Sequence, residues 1–115
     1  RRVAELRGLT PRSNLARCRK LLKSRPALLN KDHRQRQMEV AERLKTGSFQ
    51  AVCEVVRDLT ARSWRKPLNE ADSTLLRAAR ERLCQEWAVV EGVPAAAAAR
   101  EVEALLVEGR QTFAD

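Results

Sequence analysis

The chain has 115 residues, 43% hydrophobic and 33% charged, with a net charge of +8, two Trp, two Phe and no Tyr. This is one domain's worth of sequence, whose core must come from Leu, Val and Ala, and its abundant Arg, Glu and Lys also favour helix over strand. No apolar stretch approaches the ~20 residues of a membrane span, and three separated cysteines with a single histidine exclude a zinc site.

Taken in chain order, Thr10 and Pro11 read as a cap followed by proline at the first helical position. Leu15, Cys18, Leu21 and Leu22 then recur at helical period. Ser24-Arg25-Pro26 ends this helix, because a residue before proline avoids the α region. After a short connector, Asn30 caps a second helix that runs to Thr46 and stops at Gly47. Ser48 caps a third, with Phe49, Val52, Cys53, Val56 and Leu59 along one face. Trp64-Arg65-Lys66-Pro67-Leu68 breaks that pattern and places Trp64 at a loop. Asn69, followed by Glu70 and Asp72, starts a fourth helix through Leu76, Ala79, Leu83 and Trp87 to Gly92. Pro94 opens a fifth through the alanine run 95–99, with Val102, Leu105 and Leu106 as its apolar edge. Gly109 ends it, and residues 110–115 read as a frayed tail. The expected fold class is all-α, a compact bundle of about five short helices joined by short connections. Its expected core comprises Leu21, Val40, Leu44, Val52, Val56, Leu59, Leu76, Leu83, Trp87, Val102 and Leu105.

The charge is lopsided. Residues 1–47 carry fourteen Lys/Arg against four Asp/Glu, whereas residues 48–115 carry nine against eleven. A field of this shape suits a polyanion on one side of the molecule, and equally describes a well-solvated face. The sequence contains no phosphate-binding glycine loop, no nucleophile elbow and no H-E-x-x-H pair, and its neighbouring carboxylates alternate with basic residues as surface ion pairs do. No enzymatic activity, catalytic residue, cofactor, metal or small-molecule substrate is expected. Cys18, Cys53 and Cys84 sit among apolar residues and read as buried free thiols, which points to a reducing, cytoplasmic setting. The opening Arg1-Arg2-Val3 has neither an initiator Met nor a signal-peptide pattern and reads as the start of a fragment.

The block Glu54-Val55-Val56-Arg57-Asp58-Leu59 resembles the E-V-V-R-D-L signature of the C-terminal helical domain of the CarD/CdnL family of bacterial RNA-polymerase-binding transcription regulators. Upstream, Arg36, Leu44 and Gly47 fall where that family has its R-R-Y…L…G pattern. Downstream, Leu68, Leu76, Ala79-Arg80, Leu83 and Glu86 follow its L-S…M-L…A-R…L…E pattern. The resemblance spans nearly the whole chain and is closest over residues 30–91. It implies a division into three parts. Residues 1–29, including Glu5-Leu6-Arg7, would be the linker and first helix at the junction with an N-terminal domain absent from this chain. Residues 30–109 would be the helical domain proper, and residues 110–115 the tail.

The resemblance further implies two partners. The family's Tudor-like N-terminal domain binds RNA polymerase, and its C-terminal domain reaches promoter DNA at the upstream edge of the transcription bubble. A tryptophan at the start of the second helix wedges into the minor groove there and stabilises the open complex, with basic neighbours on the phosphates. In this sequence His33 occupies the tryptophan position, and Met38 and Ser73 stand where well-known members are basic. The implied DNA-binding residues are Lys31, His33, Arg34, Arg36 and Arg77, at a helix start where backbone N–H groups would also favour phosphate. Alternatives stay open for some of them. His33 is in phase with Gln37, Val40 and Leu44 and would otherwise cover the end of the core, and Arg36 would otherwise brace a neighbouring helix through a carboxylate. Arg57 and Arg80 read as structural, Trp87 as core, and Trp64 as the better surface wedge of the two tryptophans. The rival function is a helical protein-interaction or scaffold module that has kept the fold and lost the wedge, docking an acidic protein through the basic first half.

Overall fold

Residues 12–113 are described by the structure, a computed structural model, and form five α-helices with no strand among them. These are α1 (Arg12–Lys23), α2 (His33–Lys45), α3 (Phe49–Arg65), α4 (Glu70–Glu91) and α5 (Ala95–Phe113). The Thr10–Pro11 start and the Glu5-Leu6-Arg7 junction lie outside the described residues.

Local chemistry sets most of the boundaries. Ser24 closes α1 by donating both its backbone N–H and its hydroxyl to Leu21 O, at 3.1 and 2.6 Å. Ser48 caps α3 by accepting from Ala51 N, and Asn69 caps α4 by accepting from Asp72 N at 2.7 Å. Gly47 and Gly92, at φ +73° and +72°, take the left-handed conformation that ends α2 and α4 at little steric cost.

Three boundaries differ from the sequence expectation. Helix α2 is capped by Asp32, not Asn30; the Asn30 side chain instead accepts from Asp32 N at 3.0 Å and so shapes the turn before the cap. Helix α3 continues through Trp64 to Arg65, because Pro67 forces an extended backbone only on the residue before it, Lys66, at φ −159° and ψ 153°. Trp64 is thus a last-turn helical residue and not a loop residue. Helix α5 runs straight through Gly109 to Phe113, so Arg110, Gln111, Thr112 and Phe113 are helical, not frayed. Gly109 is buried there for a packing reason: a Cβ on it would meet Lys23 O at 3.1 Å and Leu22 O at 3.2 Å. The glycine lets α5 lie against the end of α1.

Helices α3 and α4 form the centre of the bundle, each touching all four of the other helices. Val52, Val55, Val56 and Leu59 are consequently all fully buried, including Val55, which lies off the single face expected for this helix. Seven of the expected core residues (Val40, Val52, Val56, Leu59, Leu83, Trp87 and Val102) are buried, while Leu21, Leu44, Leu76 and Leu105 pack half-buried around them. Helix α1, read from the sequence together with the linker, is built into the same core through Leu15, Cys18 and Leu22.

The signature hexapeptide explains itself here. Its apolar members fill the core, and its charged members fasten other elements to α3. Asp58, with its side chain wholly buried, accepts from Ala27 N at 3.0 Å and from Arg57 Nε at 2.8 Å, and pairs with Arg43 of α2 at 3.4 Å. Arg57 also donates to Ser24 Oγ at 2.9 Å, and Glu54 pairs with Arg43. The motif is a fold determinant: it holds the α1–α2 connector and the side of α2 in place. Arg80 pairs with Glu103 of α5, a similarly structural contact.

Candidate nucleic-acid interface

The start of α2 presents Lys31, His33 and Arg34 to solvent. Exposure of His33 excludes the alternative in which it covers the end of the core. Between them Asp32 turns its carboxylate onto the helix, accepting from Arg34 N at 2.9 Å and Gln35 N at 3.2 Å. The backbone bonds from Gln35 and Arg34 hold the Asp32 carboxyl below its ordinary range. This arrangement corrects one expectation. The N–H groups that were to favour phosphate are already satisfied by a carboxylate, so any anion contact at this end falls to the side chains of Lys31, His33 and Arg34.

Arg36 leaves the exposed group altogether. Its side chain is 3% exposed; Nε donates to Asp72 Oδ2 of α4 at 2.7 Å, and one terminal nitrogen donates to Asn30 O at 2.9 Å and Lys31 O at 3.2 Å. One guanidinium therefore ties together the connector, the first turn of α2 and the first turn of α4. It is a positioning residue, which fixes the backbone that carries Lys31, His33 and Arg34. An arginine suits this task because its planar fork serves several acceptors at once.

Arg77 is exposed, but it stands elsewhere. It lines a cleft between α4 and the start of α5 with Arg80, Glu81, Cys84, Gln85 and Ala95. Asp72, on another side of α4, meets α2 through Arg36, and α2 makes no contact with α5. The structure thus brings together Lys31, His33 and Arg34, and separates Arg77 from them. Of the two positions without the expected basic residue, Met38 is exposed on α2 and Ser73 is half-buried on α4.

The tryptophans divide as their environments dictate. Trp87 is fully buried, tilted against Phe49 with ring centroids 6.4 Å apart, and donates from Nε1 to Glu101 Oε1 at 3.0 Å. Trp64 is half-buried at the molecular surface, with the Arg110 guanidinium 4.7 Å above its ring. Sequence reasoning missed Arg110 and its neighbour Phe113 because Gly109 read as the end of the helix. Cys18, Cys53 and Cys84 are buried free thiols. Cys18 and Cys53 share a side-chain hydrogen bond that, together with burial, pushes the Cys53 thiol far up. Among the described residues, no helix is long and apolar enough to cross a membrane, and no group of His, Cys, Asp and Glu is placed to hold a metal ion.

A family model described as CarD, C-terminal domain, matches residues 17–103. No curated protein matches the chain. The matched span takes in the turn that carries Lys31, His33 and Arg34, the signature hexapeptide and the first half of α5, and it leaves out Gly109, Arg110 and Phe113.

Proposed function

The chain belongs to the family of CarD C-terminal domains, and from that membership we propose that it is the promoter-DNA-contacting module of a transcription regulator, acting through the first turn of α2. The observation that carries this reading is the grouping of Lys31, His33 and Arg34, exposed on a turn held rigid from within by Arg36 and Asp72. Lys31 and Arg34 would engage phosphates, which supply affinity by releasing counterions without reading sequence. The flat ring of His33 would rest against an opened base step at the edge of the bubble, where the family places tryptophan. RNA polymerase would be engaged through an N-terminal domain outside this chain, and the open complex stabilised by the two contacts together. The module acts by binding, in the cytoplasm, and calls for no cofactor, small-molecule substrate or membrane.

A protein-interaction module is the second reading, favoured by the 63% exposure of Met38 on α2 and by the polar ring at the wedge position. Salt dependence does not separate the two readings, since both partners would be acidic. Fluorescence anisotropy on forked and intact duplexes at two salt concentrations does. Arg34→Ala should weaken binding to all sequences alike and lower the salt slope by ~1 for one lost phosphate contact. His33→Trp should strengthen binding to forked DNA selectively, by a stacking gain of ~1–3 kcal/mol. If His33→Trp leaves the fork preference unchanged and Arg34→Ala leaves the salt slope unchanged, the protein-interaction reading replaces the DNA reading.

A further inference from the structure

A second basic surface begins where the first ends. The extension of α5 past Gly109 carries Arg110 and Phe113 over the end of α1 and the last turn of α3. There they enclose a cleft of about 260 Å³ with Pro26, Ala61, Trp64 and Arg65. Pro26, Ala61 and Arg65 also wall an adjoining cleft of about 130 Å³ that continues along Leu28 and Arg62 to Lys31. The two form one surface, running from the end of α5 to the connector just before the exposed turn of α2.

Its chemistry is unusual for this chain. Two guanidinium groups stand over its half-exposed rings: Arg110 over Trp64 at 4.7 Å and Arg25 over Phe113 at 4.8 Å from the ring centroids. Along the same surface stand Arg62, Arg65 and Lys31. None of these five cations has a carboxylate partner among the described residues, whereas Arg19, Lys23, Arg36, Arg43, Arg57 and Arg80 all do. The acid that lines the second cleft, Asp58, has a fully buried side chain already engaged by Arg57, Arg43 and Ala27 N. Among the described residues the surface is therefore lined by unneutralised cations, two of them standing over aromatic rings.

We propose that this surface is a second nucleic-acid contact, one that takes an unpaired strand. A base stacks on the guanidinium–ring planes, and the flanking phosphates lie on Arg62, Arg65 and Lys31. The combination of a positive groove with planar stacking platforms is what sequence-independent single-strand binding requires. An acidic peptide would satisfy the cations but, unlike a base, its carboxylates would gain nothing from the aromatic rings beneath them. The cleft is also smaller than the ~300–1,000 Å³ usual for small-molecule sites, and it suits one ring of a longer ligand. The inference takes the DNA-contacting reading as its setting and adds to it both a surface and a strand class. The two readings share only Lys31, and the residues varied to test them, Arg65, Arg110 and Trp64 here against His33 and Arg34 there, are distinct, so either can fail alone.

The test uses the whole chain and a labelled oligothymidylate of about a dozen nucleotides, a length within the reach of single-strand sites. Binding should quench tryptophan fluorescence, and Trp64→Phe should remove most of that quenching. Arg65→Gln with Arg110→Gln should weaken binding about tenfold and reduce the salt slope by about 0.7 per lost phosphate contact. A charge-matched control, Lys45→Gln with Arg100→Gln, removes two exposed cations elsewhere and should change affinity less than about twofold. Circular dichroism of both double variants checks that the helices persist. The proposal fails if oligothymidylate does not bind, or if the two double variants lose affinity equally. It also fails if a polyglutamate peptide of matched charge binds as tightly through Arg65 and Arg110, which would assign the surface to an acidic protein. Duplex and forked DNA measured in parallel with Arg34→Ala report on the α2 turn separately, so failure of the cleft leaves that reading standing.

Discussion

Arg36 Nε meets Asp72 Oδ2 at 2.7 Å, joining α2 to α4 across 36 positions of sequence with both side chains almost wholly buried. The same guanidinium caps the carbonyls of Asn30 and Lys31, so a single residue ties the stability of the bundle to the shape of its exposed basic turn. Removing one partner of such a pair leaves the other charge desolvated and unpaired. Arg36→Met is therefore expected to destabilise the domain by ~3–5 kcal/mol in urea unfolding, whereas Arg36→Met with Asp72→Leu should recover much of that loss. Arg36→Lys should recover little, because an ammonium cannot span the carboxylate and both carbonyls from one position. A wild-type unfolding midpoint for Arg36→Met would show that the pair contributes nothing.

Gly109 makes a second prediction about packing. The carbonyls of Leu22 and Lys23 that a Cβ would meet are backbone atoms at the end of α1, which cannot rotate away as a side-chain tip can. Gly109→Val is expected to cost ~1–3 kcal/mol by overpacking. Gly109→Ala should cost less, since its gain in helix propensity, up to ~1 kcal/mol, opposes the clash. Thermal unfolding of both variants measures the size of the effect. Hydrogen exchange in the last turn of α5 should report the local loosening, and unchanged protection there in Gly109→Val would contradict the close approach.

Arg19 Nε donates to Glu101 Oε2 at 2.6 Å, and Trp87 Nε1 donates to the other oxygen. Arg19, outweighing burial and aided by Trp87, holds the Glu101 carboxyl below its usual range. The native state thus binds this proton less readily than the unfolded chain does. The stability contributed by the contact is complete above the unfolded carboxylate value of ~4.3 and is lost as pH falls through the lower native value. Because the Glu101 side chain is 38% exposed, solvent screening keeps the contribution at or below ~1 kcal/mol. Urea midpoints measured from pH 6 downward should show the wild type losing stability more steeply than Glu101→Gln, with the two converging in acid. Parallel curves would remove Glu101 from the account.

The sequence by itself determined the helices, most of their caps and the family. These follow from interactions within a few residues: a serine or asparagine accepting from the next turn, a glycine at positive φ, and apolar side chains recurring at helical period. The hexapeptide was legible for the same reason, since it occupies consecutive positions on one helix. The tertiary structure decided how individual charged and small residues are used, because those uses depend on partners far away in sequence. Arg36 reads from the sequence either as a phosphate contact or as a brace to a neighbouring helix, and only the arrival of Asp72 from α4 decides for the brace. Arg77 reads as part of the basic group and is turned by the packing of α4 towards α5. Gly109 reads as a helix stop, yet it lies where α5 passes close against the carbonyls of α1, which a Cβ there would meet at 3.1 and 3.2 Å. That passage brings Arg110 over Trp64 and Phe113 under Arg25, a surface encoded in residues whose spacing in sequence carries no periodic signal.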